Sequence, residues 1–329
     1  MIRGQAMKRF FTWVFIGGTA VMGLSSCAKN PSPAGPFNSV PSPPANYLLQ
    51  WGSFGVGNGQ FDEAQGIAVN AAGTTVYVVN SGSNRVEAFD GSGNYLFQWG
   101  SYGNGNGQFV YPQGIAINSA GTTLYVADSD NYRVEAFSNS GDYLTQFGSY
   151  GGGNGQFIYD PEEVTVNSAG TTVLVIGNVF PCLVEAFSPS GVFQTQWSIN
   201  SNSYPPSGIA VNSAGTSIFV ADSENNGVDV YNSSGLLLAQ WTLPPPANGQ
   251  YINLTGLALS PDNSKIYLVD SVVDRVDVFS SAGKVLSPFG LYGKTAGFFN
   301  DPTSIAVDAA GEIFVMNTGN DTVEKFSGY

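Results

Sequence analysis

Histidine is absent from all 329 residues. That removes the Ser-His-Asp and Cys-His nucleophilic mechanisms, and His-ligated zinc with them. Cysteine is almost absent: Cys27 and Cys182 are the only two, too few for a disulfide framework. Charge is scarce at 11% of residues, and the balance is acidic, with 11 Lys and Arg against 24 Asp and Glu for a formal charge of −13. A field of that sign repels phosphate backbones, which excludes nucleic acid as an expected partner. Helix-favouring runs are few. What the chain has instead is 42 glycines and 13% aromatic residues, the composition of an all-β protein with many turns.

The one sustained apolar run is Phe10–Gly23, 14 residues long and preceded by Arg3, Lys8 and Arg9. It is short for a membrane span and reads as a targeting segment; Met7 offers an alternative start. Leu24-Ser25-Ser26-Cys27 closes it. This resembles the lipobox of bacterial lipoproteins, and the resemblance implies cleavage before Cys27 and acylation of that residue. The alternative is an ordinary secretory signal. Acyl chains on Cys27 would anchor the protein stably. Ala28 in place of Asp implies, by resemblance to Gram-negative lipoproteins, the outer membrane. Loss of residues 1–27 leaves 11 − 3 = 8 basic residues against 24 acidic ones, a net of −16. Residues 28–45, rich in Pro and Ser, read as an extended tether. Cys182, set in "VFPCLVEAF", is expected to be packed rather than reactive.

Self-similarity dominates from Asn46 onward. Gly66, Gly114, Glu163, Gly208, Gly256 and Ser304 stand at one repeat position, with spacings of 48, 49, 45, 48 and 48. Each copy reads as four short strands, exemplified by "GIAIN", "TTLYVAD", "RVEAF" and "YLTQF". Four strands, six times over, predict a six-bladed β-propeller of residues 46–329. The sixth copy has three strands and stops. The orphan stretch 46–51, "NYLLQW", matches the missing fourth strand and is expected to complete the C-terminal blade, closing the ring and covering open edges.

The phrase "GNGQFVYPQGIAIN…YVADSDNYRVEAF" strongly resembles the NHL repeat family. The resemblance covers 46–329. It is weakest in copy three, where Glu163 replaces Gly and "IGNVFPCL" replaces "ADSDNYR", and in copies four and five, whose joining loops are Pro-rich. It implies a propeller used for binding.

In such a ring the joins from fourth to first strand share a face with the turns from second to third. Here that face carries the long loops, so any site is expected there. Phe61, Phe109, Phe157, Tyr251 and Phe299 recur as expected packing plugs between blades. Phe54, Tyr102, Tyr150 and Tyr292 recur nearer the loop tips, where they are either packed or a binding platform; Asp130 and Glu224 in the turns join them as candidates. An acid recurs in every third strand (Glu87, Glu135, Glu185, Asp229, Asp277, Glu324). Six copies argue for an architectural role through local ion pairing or solvation, and the pairs Asp128/Arg133 and Asp270/Arg275 look equally structural. The "GNGQ" runs lack the Lys and helix of a phosphate loop.

Glu162 and Glu163 break the repeat at the start of an innermost strand. With Asn178 or Asp222, Glu163 is a candidate set of oxygen ligands for a hard cation such as Ca²⁺, and Asp160, Asn300 and Asp301 occupy related loops. The alternative is a solvated acidic rim. The favoured functional expectation is an envelope-anchored, non-catalytic module binding a protein, peptide or glycan, without a required cofactor. The alternative is a metal-dependent propeller enzyme of lactonase or lyase type. The related amidating lyases use His ligands that this chain does not have.

Overall fold

The structure, a computed structural model, describes residues 46–177, 182–199, 206–244 and 252–328. Cys27, the tether, Asn178 and Tyr251 lie outside them. The described residues form 23 strands in six antiparallel sheets and two single-turn 3₁₀ helices, Ser129–Asn131 and Thr318–Asn320.

Each sheet is one copy of the repeat. In blade 1 the order is Ala64–Val69, Thr75–Asn80, Arg85–Asp90, Tyr95–Trp99, from the inside outward. Val76–Val79 of the second strand are apolar on both faces, the third strand alternates Val86 and Ala88 with Arg85 and Glu87, and both strands are buried except at Thr75 and Asp90, whereas the outer strand alternates between half-buried and exposed. This is the pattern of strands sandwiched between neighbouring sheets. The innermost strands of the other blades are Pro112–Ile117, Pro161–Val166, Ile209–Val211, Leu254–Leu259 and Pro302–Val307.

Blade 6 takes its outer strand from the other end of the chain. Tyr47–Trp51 pairs antiparallel with Thr322–Phe326, matching Gln50 to Glu324 and Trp51 to Val323. Blade 5 departs from four regular strands. Its sheet has three, and the outer segment is joined to them by isolated bridges from Val285 to Phe279 and from Phe289 to Val276 and by Leu286 N–H donating to Val278 O at 2.7 Å. Pro288 sits in that segment and supplies no N–H to a ladder.

There is no single core. Six apolar clusters each fill the seam between two adjacent blades; the seam of blades 6 and 1, for example, joins Trp51, Phe314 and Met316 to Phe61, Val78 and Phe89. Burying each such side chain stabilises by about 1.5–3 kcal/mol. The seams recur in detail. The indole of Trp51 lies under Gly93 of the next blade and that of Trp99 under Gly141, where an added Cβ would fall 2.7 and 2.9 Å from the ring. Phe147, Trp197 and Trp241 meet Gly191, Gly235 and Gly283 in the same way. Hydroxyls latch the inner strands: Ser81 donates to the carbonyl of Pro112 (2.5 Å), Ser129 to that of Pro161 (2.7 Å), and Thr318 to that of Ala64 (2.6 Å). The last of these joins blade 6 to blade 1.

Candidate functional site

The joining loops and the turns between second and third strands are bonded to each other, which puts them on one face. Within their blades, Gly82 N–H donates to Asp62 O, Asp130 N–H to Val110 O, and Gly319 N–H to Asn300 O, at 2.8–3.1 Å.

Four joining loops share one backbone design. Phe61 N–H donates to Ser53 O and Gly55 N–H returns to Phe61 O; the same two bonds tie Phe109 to Ser101 and Gly103, Phe157 to Ser149 and Gly151, and Phe299 to Leu291 and Gly293. In three of them a glutamine braces the tip, its Oε1 accepting from Gly57, Gly105 or Gly153 at 3.0 Å. The glycines at 59, 107 and 155 have φ near +72°, a conformation that costs a Cβ-bearing residue.

The recurring acids of the third strands hold these loops down. Oε2 of Glu87, Glu135, Glu185 and Glu324 accepts from the N–H of Gly59, Gly107, Gly155 and Gly297 at 2.8–3.1 Å. Arginine works beside them: Arg85 bonds Glu87 and the carbonyls of Val56 and Gly57, and Arg133 bonds Asp128, Glu135 and the carbonyls of Asn104, Gly105 and Gln108. These acids are therefore architectural, but they are buried loop fasteners and not solvated groups. Burial pushes Glu135, Glu185 and Glu324 up to about 7. The expected pair Asp270/Arg275 is replaced: Arg275 bonds Asp277 at 3.0 Å, while Asp128/Arg133 forms at 2.8 Å.

Each fastened loop lifts one aromatic ring into solvent. Phe54, Tyr102, Tyr150 and Tyr292 are 62%, 73%, 69% and 54% exposed, against 0–4% for Phe61, Phe109, Phe157 and Phe299 seven residues on. The loops enter blades 1, 2, 3 and 6, which are consecutive around the ring, so the rings form an arc. Tyr150 also meets Tyr132 edge-on at 5.0 Å. Asp130 is exposed in the turn of blade 2, and Glu224 is half-buried in that of blade 4.

The central channel, about 240 Å³, is lined by the inner strands of all six blades, and Glu163 is its one ionisable lining residue. At the equivalent glycines a side chain would strike the next blade: a Cβ at Gly114 would lie 2.6 Å from Glu162 O, and one at Gly256 2.9 Å from Ser304 Cα. Blade 4, the next blade after that of Glu163, has an inner strand, Ile209–Val211, shortened to three residues. The Glu163 carboxyl is pushed up to about 8, first by burial and then by Glu162.

Of the expected ligand set, Glu163 and Asp222 lie among the described residues and Asn178 does not. No three Asp, Glu or Cys side chains there converge as metal ligands. Both oxygens of Asp222 are occupied within its own turn, by the N–H groups of Glu224 and Asn225 and by Asn225 Nδ2. Asn300 Nδ2 bonds Gly319 O, and Asp301 lies in a loop of blade 6, away from Asp160 in blade 3. Cys182 is fully buried, and burial pushes its thiol up to about 11.

Comparison with known proteins agrees on architecture. A protein family described as a 6-bladed beta-propeller matches residues 65–146. This chain is a six-bladed β-propeller. Among solved structures it is similar to hydrazine synthase from Kuenenia stuttgartiensis, with a TM-score of 0.58 and 14% identity over 79% of this chain and 75% of that one. At that identity the likeness shows the fold alone, and 1584 matching chains make it a widely shared one. No curated protein sequence matches.

Proposed function

We propose that the protein is an NHL-type binding module whose long-loop face carries a platform for a protein, peptide or glycan. The carrying observation is the arc of four exposed aromatic rings on loops that the fold fastens by the same bonds each time. Fixed, half-polar rings supply contact area at low entropic cost. Simple packing would have buried them, as it buries the four phenylalanines beneath. A variant with Phe54, Tyr102, Tyr150 and Tyr292 all changed to Ser, screened with its parent on peptide and oligosaccharide arrays, is expected to lose ligands that the parent retains. Exposed positions cost only about 0.5 kcal/mol each in stability, so the variant remains folded. Identical array profiles would sink the reading.

We further propose that the module is tethered to a bacterial envelope through Cys27 and the 28–45 linker, by the lipobox pattern at Leu24–Cys27. Cys27→Ser is expected to shift the protein from the membrane to the released fraction on cell fractionation and to abolish acyl labelling. Unchanged partitioning and labelling would refute the anchor.

A further inference from the structure

The described residues contain all 24 acids of the chain and 11 − 4 = 7 of its basic residues, because Arg3, Lys8, Arg9 and Lys29 lie outside. The seven are distributed unevenly. Lys265, Lys284 and Lys325 belong to the strand ends and turns of the short-turn face. The three arginines near the long-loop face have their guanidinium groups drawn inward onto acids: Arg85 onto Glu87, Arg133 onto Asp128 and Glu135, Arg275 onto Asp277. That leaves Lys294 as the one lysine on the long-loop face among the described residues. The same face carries Asp62, Glu63, Asp130, Asp160 and Glu162 in its loops and turns, partly or fully exposed.

The aromatic arc is set in this field. Tyr132, which meets Tyr150 edge-on, is itself flanked by Asp160 and Asp130, the carboxylates that act most strongly on its hydroxyl. An aromatic face attracts a cation placed over it, and a surrounding carboxylate field steers that cation toward it. A neutral glycan would use the rings but gain nothing from the field. Resting on the binding-module reading, we infer that the long-loop face docks an Arg- and Lys-rich protein segment, with Phe54, Tyr102, Tyr150 and Tyr292 as cation-accepting contacts and the loop carboxylates providing the complementary charge. The arc crosses four blades, which suits an extended segment engaging several rings in turn.

The test uses the purified protein with a fluorescent oligo-arginine peptide as probe, a poly-glutamate peptide as its charge-reversed control, and a neutral oligosaccharide. Oligo-arginine is expected to bind in low salt and to weaken steeply toward about 0.5 M salt. Tyr102→Ser with Tyr150→Ser weakens it about tenfold. Glu63→Gln with Asp130→Asn weakens it about fivefold. Asp142→Asn with Asp262→Asn, on the opposite face, leaves it unchanged. Oligo-arginine binding that ignores the aromatic and long-loop variants, or that falls with the opposite-face pair, overturns the proposal. Oligosaccharide binding that depends on the tyrosines, without oligo-arginine binding, also overturns it while leaving the module reading intact. If no probe binds, the charge argument fails, and the module reading then rests on the arrays alone.

Discussion

Removing Tyr47–Trp51 is expected to abolish cooperative unfolding. The strand is five residues of 329, yet among the described residues it alone pairs with the outer edge of Thr322–Phe326. Trp51 is 9% exposed and wedged between Phe89 of blade 1 and Phe314 of blade 6, at ring distances of 6.0 and 6.4 Å. Tyr47 meets Phe326 edge-on at 6.0 Å. Truncating one such indole costs about 3–5 kcal/mol. Each lost ladder bond adds about 0.5–1.5 kcal/mol. Together they approach the whole stability of an ordinary domain, about 5–15 kcal/mol. A linear stack of repeats tolerates loss of an end strand because each unit leans only on its neighbours. A ring does not, since blade 6 is also the neighbour that blade 1 needs. The deletion variant should melt broadly by circular dichroism, with dye-accessible apolar surface, while Trp51→Ala keeps a sharp transition at lower temperature. A sharp melt within a few degrees of the parent would show that the ring does not depend on this strand.

The architecture was legible because it is written six times. Spacing alone located the anchor positions from Gly66 to Ser304, and the six-fold acid was recognisably architectural. What that acid does was not legible. Glu87 fastens a backbone amide, that of Gly59, 28 residues away, and a main-chain N–H has no letter in a sequence. Blade 5 was misjudged with its signal in plain view, since Pro288 in "VLSPFG" argues against a regular outer strand. The deeper loop aromatics Phe61, Phe109, Phe157 and Phe299 were legible as packing plugs and are buried, whereas those at the tips stayed open between packing and platform, because residue type alone does not give exposure. Glu163 was visible as a break in the pattern, but the sequence did not show that the oxygens of Asp222 serve its own turn. Short-range capping competes with long-range ligation for the same oxygens.

Stability should fall as pH rises from 5 to 8. In that window the groups that matter are carboxyls whose folded values lie above their ordinary ones: about 7 for the buried Glu135, Glu185 and Glu324, about 6 for the buried Asp270, and about 8 for the half-buried Glu163. Desolvation is the first cause for each, outweighing the N–H bonds that favour the charged form. A carboxyl raised by folding holds its proton in the native state after the unfolded chain has released it. The unfolded state then binds fewer protons, and unfolding becomes easier with each increment of pH up to the folded value. The exposed turn aspartates act elsewhere: hydrogen bonds lower Asp90 and Asp142, and Asp262 to about 2, so their contribution disappears only in stronger acid. Melting is therefore expected about 5 °C or more higher at pH 5 than at pH 8. Glu185 isolates the cause. Its strand neighbour two residues earlier is Leu183, not arginine, and its Oε2 accepts from Gly155 N–H at 3.1 Å, a bond that glutamine can still accept. Glu185→Gln should raise the melting temperature at pH 8, leave it nearly unchanged at pH 5, and flatten the slope between. A parent whose melting temperature is level or rising across that window would mean that the loop amides and arginines, not desolvation, set the charge state of these fasteners.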